Sequence, residues 1–201
     1  SKVINLSDVF GDSDQTNKFV TRYLQSTHCD LFFADAAILV EGVAESMLLP
    51  HFIRSKFPEL YQRYITILGV NGRHAHRLSP LIEKLCLPTL VITDLDPAEK
   101  EGYHKSVVLK RGEGQISGNY AIAKWLMKEK DIDKLVDYSE DKKEFSFASP
   151  YRFSIRLAYQ TPVKVDFEGE EKEAIPGTFE DCLIYTNYDL FKKIKVTDSG
   201  N

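Results

Sequence analysis

The sequence of 201 residues has few cysteines and no long apolar run. Its three cysteines, Cys29, Cys86 and Cys182, are odd in number, far apart and without the spacing of a metal site. This pattern argues against a disulfide framework and predicts a reducing, cytoplasmic environment. No apolar segment approaches the roughly 18 to 20 residues that span a bilayer, and no signal peptide is visible, so no membrane partner is expected.

The chain also lacks a Gly-x-x-x-x-Gly-Lys-Ser/Thr loop, so any ATPase must lie on another part of the polypeptide. Its length fits one domain with a substantial insertion, or two small domains. The net charge of −4 is unhelpful for binding nucleic acid, but acids that hold metal ions contribute negative charge that the bound ions neutralise. Basic residues are concentrated locally, at Arg73, His74, His76 and Arg77 and at Lys105, Lys110 and Arg111.

Two acidic clusters each follow an apolar segment that reads as a buried strand. They are Glu41 and Glu45 after residues 36–40, and Asp94 and Asp96 after residues 88–93. Burying a carboxylate is costly unless a cation or hydrogen bonds compensate it, so charges at these positions indicate a function. The competing interpretation of the Glu41 and Glu45 pair is a helix N-terminus that attracts acids through its dipole.

The order of elements brings the two clusters together. Residues 36–93 alternate strand, helix, strand, helix, strand, with the middle strand at 64–70, which predicts a parallel α/β unit. In such sheets sites form at the carboxyl ends of the strands, where both clusters lie. Four carboxylates at one edge favour hard cations such as Mg²⁺ or Mn²⁺, and make phosphodiester chemistry the leading hypothesis.

The rest of the chain yields coarser predictions. A helix is predicted over residues 14–27, a loop over 97–117, a helix over 119–128, strands over 151–160 and 163–167, an acidic turn over 169–173, and a helix capped by Thr178. The predicted organisation is a linker and helical lead-in (1–30), a core (31–96), an inserted or appended, mainly helical segment (97–150), and the remainder of the core (151–201).

The acidic motifs resemble those of the Toprim domain, and more closely those of the OLD (overcoming lysogenisation defect) family of nucleases. The likeness rests on the segment Ile38-Leu39-Val40-Glu41-Gly42 with Glu45, on Asp94-Leu95-Asp96, and on later segments around residues 115–119, 158–160 and 178–181. The resemblance implies a Toprim-type parallel sheet flanked by helices. It also implies a DNA endonuclease that uses two divalent metal ions, Mg²⁺ or Mn²⁺.

The resemblance further implies roles for individual residues. Glu41, Glu45, Asp94, Asp96 and Glu180 match the acids that bind metal, and a lysine near the end of the domain stabilises the transition state, with Lys192, Lys193 and Lys195 as candidates. It implies DNA as partner, an ABC-type ATPase domain in the same full-length protein that binds ATP, and a prokaryotic cytoplasmic setting with phage defence as the role. A homodimer is an open alternative.

Three other interpretations stay open. A Toprim site could serve a primase or a nucleotide phosphotransferase, although no zinc-ribbon cysteine set is present. The acids could form the magnesium pocket of a receiver-like signalling module, which the Glu41 and Glu45 pair fits poorly. The basic residues His74, His76 and Arg77 either hold DNA phosphates near the metals or are solvated charges at a helix start.

Overall fold

A five-stranded mixed sheet organises the chain in the computed structural model, which describes residues 29–70, 74–100, 107–148 and 150–193. The strands are β1 (Ala36–Val40), β2 (Ile65–Gly69), β3 (Thr89–Ile92), β4 (Pro97–Ala98), β5 (Ile116–Ser117), β6 (Glu144–Phe147), β7 (Phe153–Ala158), β8 (Val163–Phe167) and β9 (Glu170–Ala174). The main sheet has the order β2-β1-β3-β7-β6, and only β6 runs antiparallel to its neighbour. The pairs β4–β5 and β8–β9 form separate two-stranded sheets.

Helices flank the main sheet, which confirms the predicted α/β class. The α-helices are α1 (Val43–Lys56), α2 (Pro58–Tyr61), α3 (Ser79–Leu85), α4 (Ile132–Val136), α5 (Phe179–Thr186) and α6 (Tyr188–Phe191). Short 3₁₀ segments span Cys29–Phe32, Ala75–Leu78 and Glu140–Lys143, and one π-helical turn spans Ala121–Trp125.

The central strands are buried because they are apolar along their whole length. Leu39 of β1 lies opposite Leu68 of β2 and Val91 of β3, and all three side chains are fully buried. Parallel strands covered on both faces read as continuous apolar runs, which is why β1 and β3 could be predicted from the sequence. The same register places the carboxyl ends of β1, β3 and β7 side by side.

The helices that follow β1 and β2 begin at the edge where those strands end. Gly42 is the N-cap of α1. The helix predicted between the second and third strands, from about residue 74 to 85, is divided into the 3₁₀ turn Ala75–Leu78 and α3, which begins at Ser79 with proline in its first turn. The predicted cap of the last long helix is confirmed, since Thr178 accepts a hydrogen bond from the backbone N–H of Asp181 in a capping box.

The region between residues 97 and 150 combines short helical turns with three short strands. It contains β4, β5 and β6 beside the π-helical turn and α4, and β6 joins the main sheet by pairing with β7. The predicted boundary at residue 150 therefore falls between two paired strands. The predicted helix over 119–128 is shortened to the π-helical turn, and the predicted acidic turn over 169–173 is β9, whose Glu171 forms an ion pair with Lys164 across the hairpin.

Several predictions lie outside the described residues, among them the helix over 14–27, the end of the second strand at Asn71-Gly72, and the basic residues Arg73 and Lys105. Cys29, Cys86 and Cys182 are all free thiols. None of the helices in the described part of the chain combines the length and the hydropathy that a membrane span needs.

Candidate active site at the carboxyl edge of the sheet

Polar side chains follow three neighbouring strands at the carboxyl edge of the main sheet. Glu41 follows β1, Thr93 and Asp94 follow β3, and Gln160 lies two residues after β7. The backbone N–H of Thr93 donates to the carbonyl of Ala158 at 3.0 Å, which keeps β3 and β7 in register up to this edge. The predicted convergence of Glu41 and Asp94 is therefore a direct contact between neighbouring strand ends.

One carboxylate oxygen of Glu41 collects hydrogen bonds from three donors. Its Oε2 accepts from the hydroxyl of Thr93, from the backbone N–H of Asp94 at 3.2 Å, and from Nδ2 of Asn119 at 3.3 Å. These bonds fix the carboxylate beside β3 through one oxygen. The hydrogen bonds of the described residues that reach Glu41 use Oε2 alone, and this geometry suits a carboxylate that offers its other oxygen to a cation.

Asn119 connects the two acidic clusters. Its side chain is fully buried, and Nδ2 donates to the hydroxyl of Thr93 at 2.7 Å and to Oδ2 of Asp96 at 3.2 Å, as well as to Glu41. Its Oδ1 accepts from the backbone N–H of Ala121 at 3.0 Å, which fixes the orientation of the amide. Asn119 thus holds Glu41 and Asp96 within reach of one neutral donor.

Asp94 lies in the most unfavourable electrostatic environment of the site. Its Oδ1 accepts a hydrogen bond from Nε2 of Gln160, whose Oε1 in turn accepts from the backbone N–H of Leu95 at 3.0 Å. Burial is the main cause that raises the pKa of Asp94 from 3.8 to about 7. The hydrogen bond from Gln160 lowers this pKa, and the negative charges of Glu41, Glu45 and Asp96 raise it further. The four predicted acids therefore interact electrostatically at one place.

Glu45 reaches the same place from the first turn of α1. Its side chain is buried, with 3% of its surface exposed. A Cβ atom added at Gly42 would lie 2.5 Å from Oε2 of Glu45, so the carboxylate folds back over the strand–helix junction. Glycine at position 42 leaves the room that this carboxylate occupies.

Comparison with known proteins agrees with this geometry. Residues 32–96 match the family described as overcoming lysogenization defect protein-like, TOPRIM domain. This part of the chain is an OLD-like Toprim domain. The chain is also 28% identical over 188 residues to Endonuclease GajA of Bacillus cereus strain HuB5-5, a match that covers 90% of the chain and 25% of that relative. The chain thus spans about a quarter of the length of the curated relative, and no solved structure matches it.

Basic and aromatic side chains flank the acids of the Toprim domain. Burial lowers the pKa of His74, the positive charge of Arg77 lowers it further, and the negative charge of Glu41 opposes both, so His74 lies within electrostatic reach of that acid. The ring of His76 meets the ring of Tyr120 edge to face, with centroids 5.3 Å apart. The basic segment after β2 therefore borders the acid cluster and the residue next to Asn119.

The helix α5 lies beside the same edge. Burial raises the pKa of the Cys182 thiol, and the negative charges of Asp94 and Asp181 raise it further, which places Cys182 near Asp94. Glu180 is exposed and lies two residues earlier, on the first turn of α5. The Lys192 ammonium forms an ion pair with Asp189, which lies one turn earlier.

Two residues of the site were not predicted from the sequence. The sequence places Asn119 at the start of a predicted helix, and it places both Asn119 and Gln160 in segments that resemble the family, without a role for either side chain. A polar residue just after an apolar strand is the signal that could have found Gln160, because β7 ends at the same edge as β3. Asn119 carries no such signal, since it lies 78 residues from Glu41 in the sequence.

The acids have the donor chemistry of a hard-cation site without being arranged as a closed cage. Among the described residues, no three histidine, cysteine, aspartate or glutamate side chains are grouped so that they could hold one metal ion. Instead, Asn119 and Gln160 donate hydrogen bonds to the carboxylates that face them. The charge gathered there is consistent with a site that takes up a cation as these hydrogen bonds rearrange.

Proposed function

We propose that this chain is the nuclease part of a larger protein and hydrolyses phosphodiester bonds of DNA with the help of divalent cations. The observation that carries the proposal is the gathering of Glu41, Asp94 and Asp96 at one sheet edge, with Asp94 held at a pKa of about 7. The similarity to an endonuclease and the OLD-like Toprim match support the same activity.

The residues proposed to bind two Mg²⁺ or Mn²⁺ ions are Glu41, Glu45, Asp94, Asp96 and Glu180. All are oxygen donors, which suit hard cations better than Zn²⁺. Two such ions, when bound, supply an activated water and stabilise the leaving oxygen of an in-line displacement. The fit is supported by the raised pKa of Asp94, because a buried and mutually repelling set of carboxylates gains from a nearby positive charge.

The protein's own residues would orient these acids. Thr93, Asn119 and the backbone N–H of Asp94 hold one oxygen of Glu41, and Gln160 holds one oxygen of Asp94. Such partners fix the direction in which a carboxylate presents its remaining oxygen, and their loss usually weakens metal binding about 10- to 100-fold.

Lys192 is proposed as the cation that stabilises the charge of the transition state. Its ammonium would have to leave Asp189 to reach the acid edge. The ATP-binding partner domain, a role in phage defence and a cytoplasmic, prokaryotic setting belong to the same proposal. The chain's coverage of only 25% of its relative is consistent with such a further domain.

The proposal is tested by incubating supercoiled plasmid with the purified chain and Mg²⁺ or Mn²⁺. Wild type should nick or linearise the plasmid, a chelator should stop the reaction, and Glu41→Gln or Asp96→Asn should lower the rate at least about 100-fold. The matched control is Glu59→Gln, an exposed glutamate on α2.

Circular dichroism and urea unfolding of each variant separate loss of chemistry from loss of fold. Cleavage that survives in both Glu41→Gln and Asp96→Asn would contradict the proposed site. Cleavage that is equally fast in excess chelator would contradict the metal requirement.

A further inference from the structure

A small basic pocket lies next to the acid cluster and has no role in the function described so far. Its volume is about 180 Å³, and it is lined by Ile116, Ser117, Gly118, Tyr120, Ala123, Lys124 and Lys130. We call it the Tyr120 pocket. Tyr120, Lys124 and Lys130 are exposed, so a ligand can reach the pocket from solvent.

The floor of the Tyr120 pocket is hydrogen-bonded to the proposed metal site. The backbone N–H of Gly118 donates to the carbonyl of Asp96 at 2.9 Å, and the next residue, Asn119, donates from its side chain to the Asp96 carboxylate. Each nucleotide of a DNA strand carries a phosphate. Because Gly118 lines the pocket and is bonded to Asp96, a strand bound at the acids has phosphates to offer to the pocket.

The ring of Tyr120 holds a positive charge over the pocket. Nζ of Lys124 lies 4.0 Å from the centroid of the ring, and the ring packs at a right angle against that of His76. A cation within about 6 Å of an aromatic face is attracted to it, so the ammonium is oriented before any ligand arrives. Because the ammonium covers a face of the ring, the pocket suits a phosphate better than a stacked base.

The nearby acid does not cancel this charge. Glu129, which precedes Lys130, accepts hydrogen bonds from the backbone N–H groups of Lys130 and Asp131 through Oε1. Its Oε2 forms an ion pair with Lys134 at 3.2 Å. The negative charge of Glu129 is thus balanced by Lys134, which leaves Lys124 and Lys130 as the two cations that line the pocket.

We propose that the Tyr120 pocket binds a backbone phosphate of the DNA strand that is cut, with Lys124 and Lys130 as the binding groups and Tyr120 as the residue that positions Lys124. This inference rests on the proposed nuclease function. Lysine contacts to phosphate are electrostatic and independent of base sequence, so the pocket adds affinity and register without sequence preference. It acts on binding and leaves the chemical step to the acids.

The test measures binding of a short fluorescent duplex by anisotropy at several salt concentrations, with Ca²⁺ in place of Mg²⁺. Lys124→Ala should weaken binding roughly tenfold and lower the slope of log K against log salt by about 1, as loss of one phosphate contact predicts. Tyr120→Phe should keep most of the affinity because it keeps the ring, whereas Tyr120→Leu should approach Lys124→Ala.

The matched control is Lys84→Ala. Lys84 is an exposed lysine in the last turn of α3, which leads into the amino end of β3 on the opposite edge of the sheet. It should leave both the affinity and the salt slope unchanged. Lys124→Ala should weaken binding of two duplexes of unrelated sequence by the same factor, and in cleavage assays it should raise KM with little change in kcat.

The outcomes separate this inference from the function on which it rests. If wild type cuts DNA and Lys124→Ala and Lys130→Ala both behave like Lys84→Ala, the pocket has no role in binding the backbone and the inference is wrong. The same holds if a labelled mononucleotide binds the pocket as tightly as the duplex, since that would make it a nucleotide site. If wild type neither binds nor cuts DNA, the proposed function itself fails.

Discussion

Replacing Asp94 by asparagine should stabilise the metal-free protein. The asparagine side chain has nearly the same shape and keeps an oxygen to accept the hydrogen bond from Gln160, but the change removes a charge that burial and three other acids disfavour. The pKa of Asp94 lies at about 7 instead of 3.8, a difference of about 3 units, and each unit corresponds to about 1.36 kcal/mol. Together these figures give an upper limit of about 4 kcal/mol for the free energy gained by removing the charge. Because Asp94 is partly exposed, screening by solvent reduces this gain to about 2 kcal/mol.

The stability that Asp94→Asn gains depends on pH because the pKa of Asp94 is raised in the folded state. Since the carboxyl of Asp94 binds its proton more tightly in the folded state, the wild type loses stability as pH rises from about 4 to about 7 and no further above that. Asp94→Asn should therefore gain about 2 kcal/mol at pH 8, or about 4 to 8 °C in Tm, and only about a third of that at pH 5.

Urea unfolding in a chelator at both pH values measures this gain, with Glu59→Gln as the control for loss of a surface charge. Addition of Mg²⁺ should reverse the order, because cation binding stabilises the wild type by about 2.7 kcal/mol at 100 times its Kd and Asp94→Asn by less. An Asp94→Asn variant that is less stable than wild type at pH 8 in the chelator, or stabilised equally at both pH values, would refute the raised pKa of Asp94.

Three further predictions concern the supports of the site. Gly42→Ala should lower Mn²⁺ affinity roughly tenfold in calorimetry and leave the urea midpoint unchanged, because the added Cβ, 2.5 Å from Oε2 of Glu45, displaces only the flexible end of that side chain. An unchanged Mn²⁺ affinity would contradict the close contact between position 42 and Glu45. Asn119→Ala should cost about 1 to 3 kcal/mol in urea unfolding, since it removes the donor to the buried hydroxyl of Thr93 and the acceptor for the backbone N–H of Ala121. A neutral result would contradict the structural role of this amide. Lys192→Ala should slow plasmid cleavage about 100-fold and Lys193→Ala should not; equal rates would remove Lys192 from the site.

The unit from β1 to β3 could be predicted from the sequence because its signals are local. The largely apolar segments that form β1 and β3 have the length and composition of buried parallel strands, and an acid follows each within two residues. The convergence of Glu41 and Asp94 then follows from the rule that the carboxyl ends of parallel strands share an edge. No detailed packing was needed for that step.

The strands β6 and β9 and the role of Asn119 could not be predicted, because each depends on contacts with residues that lie elsewhere in the sequence. The strand β9 has the charged sequence Glu-Glu-Lys-Glu-Ala and is held by its partner β8, so its local pattern is that of a turn. The strand β6 belongs to the main sheet only through its pairing with β7. Asn119 acts through contacts with Glu41 and Asp96 that are 78 and 23 residues away, and no spacing rule connects them.

The most direct test of the account is a crystal of the chain soaked in Mn²⁺ and measured for anomalous scattering. The account predicts two manganese peaks at the carboxyl edge of the sheet, bound by oxygens of Glu41, Glu45, Asp94 and Asp96. A well-ordered crystal with no manganese at this edge, or with manganese bound only elsewhere, would contradict it.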